Sequence, residues 1–107
     1  MAIRATSKTR ARTQLENIHG GRLSLGAQIA SIRKGEGWSL AEMAKRLKVT
    51  RAHVAAIERG KPVAPQTAAK YAKVLGYSQE QFVRLSLQDA VRRARLPYKV
   101  DVSRPAG

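Results

Sequence analysis

The chain has 107 residues, with 21 lysine and arginine side chains against 7 aspartate and glutamate side chains and a formal net charge of +14. This length fits one small domain with tails, and the charge predicts a polyanionic partner, most often nucleic acid. The absence of cysteine excludes disulfide scaffolds, thiolate zinc sites and cysteine nucleophiles. No run of about 18 apolar residues is present, so we predict no transmembrane helix and no membrane partner.

Residues 1–22 are predicted to form a flexible basic arm. They are rich in serine, threonine and arginine and poor in large apolar residues, and a glycine pair breaks the chain at positions 20–21. Such an arm could follow a DNA groove with three cations, Lys8, Arg10 and Arg12. Two alternatives stay open: a disordered tail that attracts DNA without specificity, and a mitochondrial transit peptide, although the apolar face of a transit peptide is missing.

From residue 23 onward, apolar residues recur at helical spacing and predict an all-α fold of five helices. The first helix is indicated by Leu25, Ile29 and Ile32, and Gly35 and Gly37 end it. The second helix spans about 39–47 and starts at a capping box formed by the serine at 39 and the glutamate at 42. The third spans about 50–59, with a threonine at 50 as its cap and a glycine at 60 after its end.

Two further helices complete the predicted domain, which spans residues 23–96. The fourth helix begins at Pro65 and ends at Gly76. The fifth begins at a second capping box, Ser78 with Gln81, and continues to Pro97. Residues 97–107 form a C-terminal tail in which residues 98–102 alternate in the manner of a short strand.

The short connection between the second and third helices predicts a helix-turn-helix motif. Residues 38–61 read WSLAEMAKRLKVTRAHVAAIERGK. The residues that carry the similarity are Ser39, Ala44, Leu47, Val49, Thr50, Val54, Ile57 and the Glu58-Arg59-Gly60-Lys61 ending. This stretch resembles the helix-turn-helix of the Xre/Cro/CI group, the lambda-repressor-like DNA-binding domains.

The resemblance implies that the third helix reads the DNA major groove. The base-reading positions are then Arg51, Ala52, Ala55 and Ala56. An arginine at position 51 would prefer guanine, and alanines could contact a thymine methyl group. The backbone-contacting positions are Ser39, Lys48, Thr50, His53, Arg59 and Lys61, although His53 could equally be a solvated helix residue.

Two other positions in the motif have expected roles. Many relatives carry glycine where this chain has Lys48, so a left-handed backbone is expected there at a cost of about 1 kcal/mol. Glu58 is expected to brace the domain, because acidic residues rarely face phosphates. Trp38 is predicted to cover the core before the second helix.

The resemblance implies a sequence-specific transcriptional regulator of double-stranded DNA, a repressor that is cytoplasmic and associated with the bacterial nucleoid. We predict no enzyme, no cofactor and no metal site, because the two histidines lie in different segments and no phosphate-binding loop is present. A homodimer on a two-fold DNA site is expected. The candidate dimer or partner contacts are Leu85, Leu87, Val91, Tyr98 and Val100.

Three alternatives stay open for these surfaces and this function. The fifth helix could only complete the core of a monomer. The chain could be a HigA-type antitoxin that binds its own operator and presents the fifth helix and tail to a toxin partner. It could also be an architectural or coactivator DNA-binding protein that contacts phosphates without a preferred site.

Deletion of residues 1–14 is expected to reduce the salt dependence of DNA binding more than the preference for one site. The reason is that cations of the arm would displace counterions from phosphates without reading bases. Fluorescence anisotropy titrations of the full and shortened chains across a range of salt concentrations measure the slope. An unchanged slope would show that the arm does not touch DNA.

Overall fold

The computed structural model describes residues 23–105. The predicted arm, with Lys8, Arg10 and Arg12, lies outside the described residues, as do residues 106–107. The described residues form five helices and contain no strand, which confirms the all-α, five-helix prediction. In chain order the helices are α1 (Leu25–Glu36), α2 (Leu40–Leu47), α3 (Arg51–Glu58), α4 (Pro65–Leu75) and α5 (Gln79–Arg93).

Serine or threonine side chains cap α1, α2, α3 and α5, whereas α4 begins without a side-chain cap. Ser39 and Glu42 form the predicted capping box before α2, and Pro65 lies in the first turn of α4. The second predicted capping box is only half formed. The Ser78 hydroxyl accepts from the Gln81 amide, but the Gln81 side-chain oxygen accepts from Arg84 instead of from the backbone of Ser78.

The described residues divide into two compact units, and the boundary along the chain lies between Lys61 and Pro62. In the first unit, α1 and α2 each pack against α3. The large side chains buried on these helices lie on one face of each, at the spacing that the sequence predicted. They are Leu25, Ile29, Ile32, Met43, Leu47, Val54 and Ile57.

A glycine allows α1 to approach α3 closely. A Cβ atom added to Gly26 would overlap the carbonyl oxygen of Ile57 and lie 3.2 Å from its carbonyl carbon. Gly35, near the other end of the same helix, has no atom within 4 Å of such a Cβ. The two glycines of α1 therefore have different roles, and only Gly26 is required by packing.

In the second unit, α4 packs against α5. The buried apolar side chains are Ala68, Tyr71, Ala72 and Leu75 of α4 and Phe82 and Leu85 of α5. The Ser86 hydroxyl donates a 2.6 Å hydrogen bond to the carbonyl of Val63, which ties the start of this unit to α5.

The burial of Leu85 contradicts its prediction as a dimer or partner contact. Leu85 is only 1% exposed, so it belongs to the core and is not available to a dimer partner or a toxin. Leu87 and Val91 are half-buried, and Tyr98 is 65% exposed. The helical pattern of α5 could not separate these residues, because its apolar positions cover more than one stripe.

The C-terminal end of α5 also differs from its prediction. The helix ends at Arg93 and does not continue to Pro97, because Arg95 adopts a left-handed conformation with a φ of 58°. Residues 96–105 form no regular secondary structure. The short strand predicted for residues 98–102 is therefore absent from the single chain, where no second strand lies beside it.

The replacement Gly26→Ala is expected to lower the free energy of unfolding by about 1–3 kcal/mol, because the added methyl group must push α1 away from α3. Gly35→Ala is the matched control and is expected to raise stability by about 0.5–1 kcal/mol, since alanine favours the helix and meets nothing there. Urea unfolding followed by circular dichroism measures both. Equal effects of the two substitutions would contradict the close approach at Gly26.

Candidate nucleic-acid interface

The N-terminus of α2 is organised by Ser39. The Ser39 hydroxyl accepts a hydrogen bond of 3.1 Å from the amide of Glu42, and the Glu42 carboxylate accepts one of 3.4 Å from the Ser39 amide. A hydroxyl that accepts in this way still has its own hydrogen to donate. Ser39 is exposed, so this hydrogen can reach an acceptor outside the protein.

The turn between α2 and α3 depends on Lys48. Its φ of 59° and ψ of 45° are left-handed, as expected for a position where relatives carry glycine. The turn is closed by a hydrogen bond of 3.0 Å from the Val49 amide to the Ala44 carbonyl. The left-handed conformation of this non-glycine residue costs about 1 kcal/mol. The Lys48 side chain is exposed and lies at the start of the turn.

Thr50 starts α3 as predicted. Its hydroxyl accepts a 3.0 Å hydrogen bond from the amide of His53, and like Ser39 it keeps a hydrogen to donate. Thr50 is exposed. Both helices of the motif therefore begin with a hydroxyl group that caps the helix on one side and faces solvent on the other.

The outward face of α3 has small side chains at its centre and cations at its ends. Val54 and Ile57 are buried, whereas Arg51 and Ala52 are exposed. The two remaining base-reading candidates, Ala55 and Ala56, are half-buried, and Arg59, the C-terminal cap of the helix, is exposed. Because the alanines project so little, another molecule can approach the backbone of α3 closely.

The structure brings together two of the predicted phosphate-contacting residues. The ammonium group of Lys61 lies 3.3 Å from Nδ1 of His53, a distance at which it can donate to the neutral imidazole. The chain after α3 thus folds back so that Lys61 reaches the first turn of the helix. The Lys61 ammonium group and the His53 ring, which come from different segments, therefore lie together on the surface.

An ion pair connects α1 to the end of α3. Arg33 donates to Glu58 through two nitrogens, with Nε 2.8 Å from Oε2 and a terminal nitrogen 3.1 Å from Oε1. Its other terminal nitrogen donates to the carbonyl of Trp38 at 3.1 Å. The two side chains are only 16% and 13% exposed. The hydrogen bond with Glu58 raises the pKa of Arg33.

Trp38 is half-buried, and the guanidinium of Arg46 lies 3.8 Å from the centre of its ring. This cation–π contact fixes the side chain of Arg46 on the outside of α2. The prediction that Trp38 covers the core before α2 did not include a cation on its outer face.

Several of these contacts were missed by sequence reasoning. Glu58 was expected to brace the domain, but nothing local identified Arg33, which lies 25 residues away, as its partner. The close approach at Gly26 had one signal, a glycine inside an otherwise helical pattern. No sequence signal indicated the stacking of Arg46 on Trp38, because the spacing of a basic residue and an aromatic residue does not predict contact.

The positions predicted to contact DNA between residues 39 and 61 all lie in the first unit. The remaining dimer or partner candidates, Leu87, Val91, Tyr98 and Val100, lie in the second unit. Among residues 23–105, no helix has both the length and the apolar character needed to cross a bilayer, and no three metal-ligating side chains lie together.

A family model for helix-turn-helix proteins of the Cro/C1 type matches residues 29–82, half of the chain. The chain therefore belongs to the Cro/C1-type helix-turn-helix family. It is a DNA-binding helix-turn-helix protein of a regulatory family, which is not a family of enzymes. Searches of curated proteins and of solved structures found no match.

The replacement Glu58→Gln is expected to lower the free energy of unfolding by about 2 kcal/mol, because it leaves the mostly buried guanidinium of Arg33 without its counterion. Glu80→Gln makes the same chemical change in the exposed Arg104 pair, where the side chains are 86% and 53% exposed. It is expected to have no measurable effect. Thermal and urea unfolding check both, and similar losses would show that the Arg33 pair contributes no more than a surface pair.

Proposed function

We propose that this chain is a sequence-specific regulator of transcription that reads the major groove of double-stranded DNA with α3 and acts as a repressor. The observation that carries the proposal is the outward face of α3, where alanines lie between the exposed cations Arg51 and Arg59. A major groove admits one α-helix, and a helix without bulky side chains at its centre can lie deep in it.

Arg51 would read a base. As the first residue of α3 it lies at the end of the helix that contacts base edges in helix-turn-helix complexes. A guanidinium in that position can donate two hydrogen bonds to O6 and N7 of guanine. Ala52, Ala55 and Ala56 would add apolar contacts to thymine methyl groups.

The phosphates would be held by groups on both sides of α3. Ser39 and Thr50 can donate their hydroxyl hydrogens to phosphate oxygens while they keep their caps. Lys48, Arg59 and the pair of Lys61 with His53 would supply positive charge. The Arg33–Glu58 pair supports this function because it fixes the end of α3 without adding a negative charge to the DNA-facing side.

One motif of this kind contacts few base pairs, so we also propose a homodimer on a two-fold site. The net charge of +14 favours fast encounter with DNA, and a protein bound at a promoter obstructs transcription by occupying it. The family resemblance favours a bacterial cell, where such a protein would act at the nucleoid.

In vitro selection from random duplex DNA at about 150 mM salt tests this proposal, because nonspecific phosphate binding is weak there. Recovery of an inverted repeat is expected, with a spacing of half-sites that reports the distance between two copies of α3. Recovery of no common sequence would contradict site-specific regulation and would favour the architectural or the antitoxin alternative.

The replacement Arg51→Ala is expected to weaken binding to the selected site by about 1–3 kcal/mol and to relax the preference at one base position. Lys61→Ala is expected to weaken binding to all sequences alike, because it removes a phosphate contact. Lys70→Ala removes the same charge from the exposed surface of α4 and is the control. If Arg51→Ala keeps the full preference, α3 is not the reading helix.

A further inference from the structure

Two polar side chains from different segments meet beside the first turn of α3. The Nζ atom of Lys61 lies 3.3 Å from Nδ1 of His53, although the two residues are eight positions apart in the chain. Lys61 is exposed and His53 is half-buried, so both can reach a molecule in solvent. The Lys61 amide donates to the carbonyl of Ala56 at 2.9 Å, which turns the chain back after α3. The backbone therefore helps to bring the two side chains together.

This contact requires one form of the histidine ring. An ammonium group donates hydrogen bonds and accepts none, so Nδ1 of His53 must be the acceptor and has no hydrogen of its own. The ring is then neutral and has its hydrogen on Nε2. A proton added to Nδ1 would remove the acceptor and place a second positive charge beside Lys61. The observed contact is therefore one that only the neutral ring can make.

No carboxylate is bonded to this ring in the described part of the chain. The helices α1 and α2 pack against α3. The charged side chains of the two helices are Arg33, Lys34 and Glu36 on α1 and Glu42, Lys45 and Arg46 on α2. The other charged side chains between the end of α2 and Lys61 are Lys48, Arg51, Glu58 and Arg59.

The carboxylates of this unit are few, and two of them have partners elsewhere. Glu58 pairs with Arg33, and Glu42 accepts from the Ser39 amide. Residues 23–61 contain eight lysine and arginine side chains against three glutamates. A negative charge bonded to the His53 ring must therefore come from a bound molecule.

A third donor group belongs to the same turn of α3. The Thr50 hydroxyl accepts a 3.0 Å hydrogen bond from the His53 amide and keeps its own hydrogen to donate. Thr50 is exposed. A hydroxyl, an imidazole and an ammonium group are thus grouped at one end of the helix. The two free oxygens of a phosphate diester carry one negative charge and can accept from all three groups.

We propose that Thr50, His53 and Lys61 form a binding site for one phosphate of the DNA backbone, and that His53 takes up a proton from solvent when this phosphate binds. The phosphate supplies the negative charge that the unit does not bond to the ring. Nδ1 of His53 then bears a hydrogen and donates to a phosphate oxygen, as the Lys61 ammonium group does. No other bond changes in this step.

The sign of the pH dependence follows from the direction in which the proton moves. A histidine side chain changes its charge between pH 5 and 8. Binding that takes up a proton is favoured where protons are abundant, because the two binding events strengthen each other reciprocally. Affinity for DNA therefore increases as the pH falls through this range.

This inference rests on the proposed function, since it joins three of the expected phosphate contacts in one site and adds a proton to it. A phosphate contact reads no base, so a duplex of any sequence can test the site. The test is specific because the sequence contains only one other histidine, His19. Replacement of each histidine by glutamine gives a variant and its matched control.

Fluorescence anisotropy with a rhodamine-labelled duplex of about 20 base pairs measures the Kd at pH 6 and pH 8 at constant ionic strength. The unmodified chain is expected to bind about tenfold more tightly at pH 6, a typical coupling between two binding events. His19→Gln is expected to keep this increase. His53→Gln is expected to bind about equally at both pH values, because glutamine can accept from Lys61 and donate to phosphate but does not titrate.

Isothermal titration calorimetry counts the protons directly. The heat of binding to the same duplex is measured at pH 7 in PIPES and in imidazole, two buffers with different enthalpies of ionisation. The difference between the two heats gives the number of protons taken up. Uptake is expected for the unmodified chain and for His19→Gln, and none is expected for His53→Gln. Circular dichroism at both pH values checks that the three proteins are equally folded.

The outcomes separate this site from the proposed function. A chain that binds no duplex at either pH overturns both. A chain that binds the duplex equally well at pH 6 and pH 8 overturns the proton uptake, while DNA binding stands. An increase at pH 6 that His53→Gln retains shows that another group takes up the proton, and it overturns the assignment to His53.

Discussion

The bidentate ion pair between Arg33 and Glu58 is the interaction on which the DNA-binding unit depends. Its two hydrogen bonds connect α1 to the last residue of α3, and a third bond from Arg33 to the Trp38 carbonyl includes the chain before α2. One guanidinium therefore contacts all three parts of the unit. A planar group with several donors suits this position better than a flexible ammonium, because it can satisfy two partners in fixed directions.

In the same unit, α1 and α3 approach each other so closely at Gly26 that no side chain fits between them. Gly26 lets α1 lie directly against the carbonyl of Ile57, one residue before Glu58. The ion pair and the glycine thus act on the same end of α3. Together they position the helix from its buried side, so that its outer face can consist of alanines and exposed cations that contribute little to packing.

Basic residues occupy two turns of the chain in which the backbone is left-handed. Lys48 and Arg95 are the non-glycine residues with positive φ in the described part of the chain, and each follows the end of a helix. A glycine would adopt this conformation with less strain. At position 48 the side chain has a proposed use that glycine would lack, because Lys48 adds a cation to the proposed DNA-facing turn. Nothing in the structure explains an arginine at position 95.

Much of this protein could be predicted from its sequence. The apolar spacing, the caps at Ser39 and Thr50 and the stop at Gly76 depend on neighbours within a few residues, so they define five helices and the helix-turn-helix without knowledge of the rest. These features are local, and local hydrogen bonds and apolar periodicity can be recognised in a sequence. The candidate DNA contacts were assigned through the resemblance to the Xre/Cro/CI group, and they remain predictions.

What only the tertiary structure decided involves partners that are distant in sequence. The pairing of Arg33 with Glu58 joins residues 25 positions apart, and the hydrogen bond from Gln88 to Tyr98 joins residues 10 positions apart. The burial of Leu85 depends on how two helices pack. A stretch that alternates like a strand became a segment held by a helix, because a strand needs a neighbour to bond and the single chain offers a glutamine side chain instead. Composition and spacing show which side chains are able to pair, but the packing of the helices determines which of them come into contact.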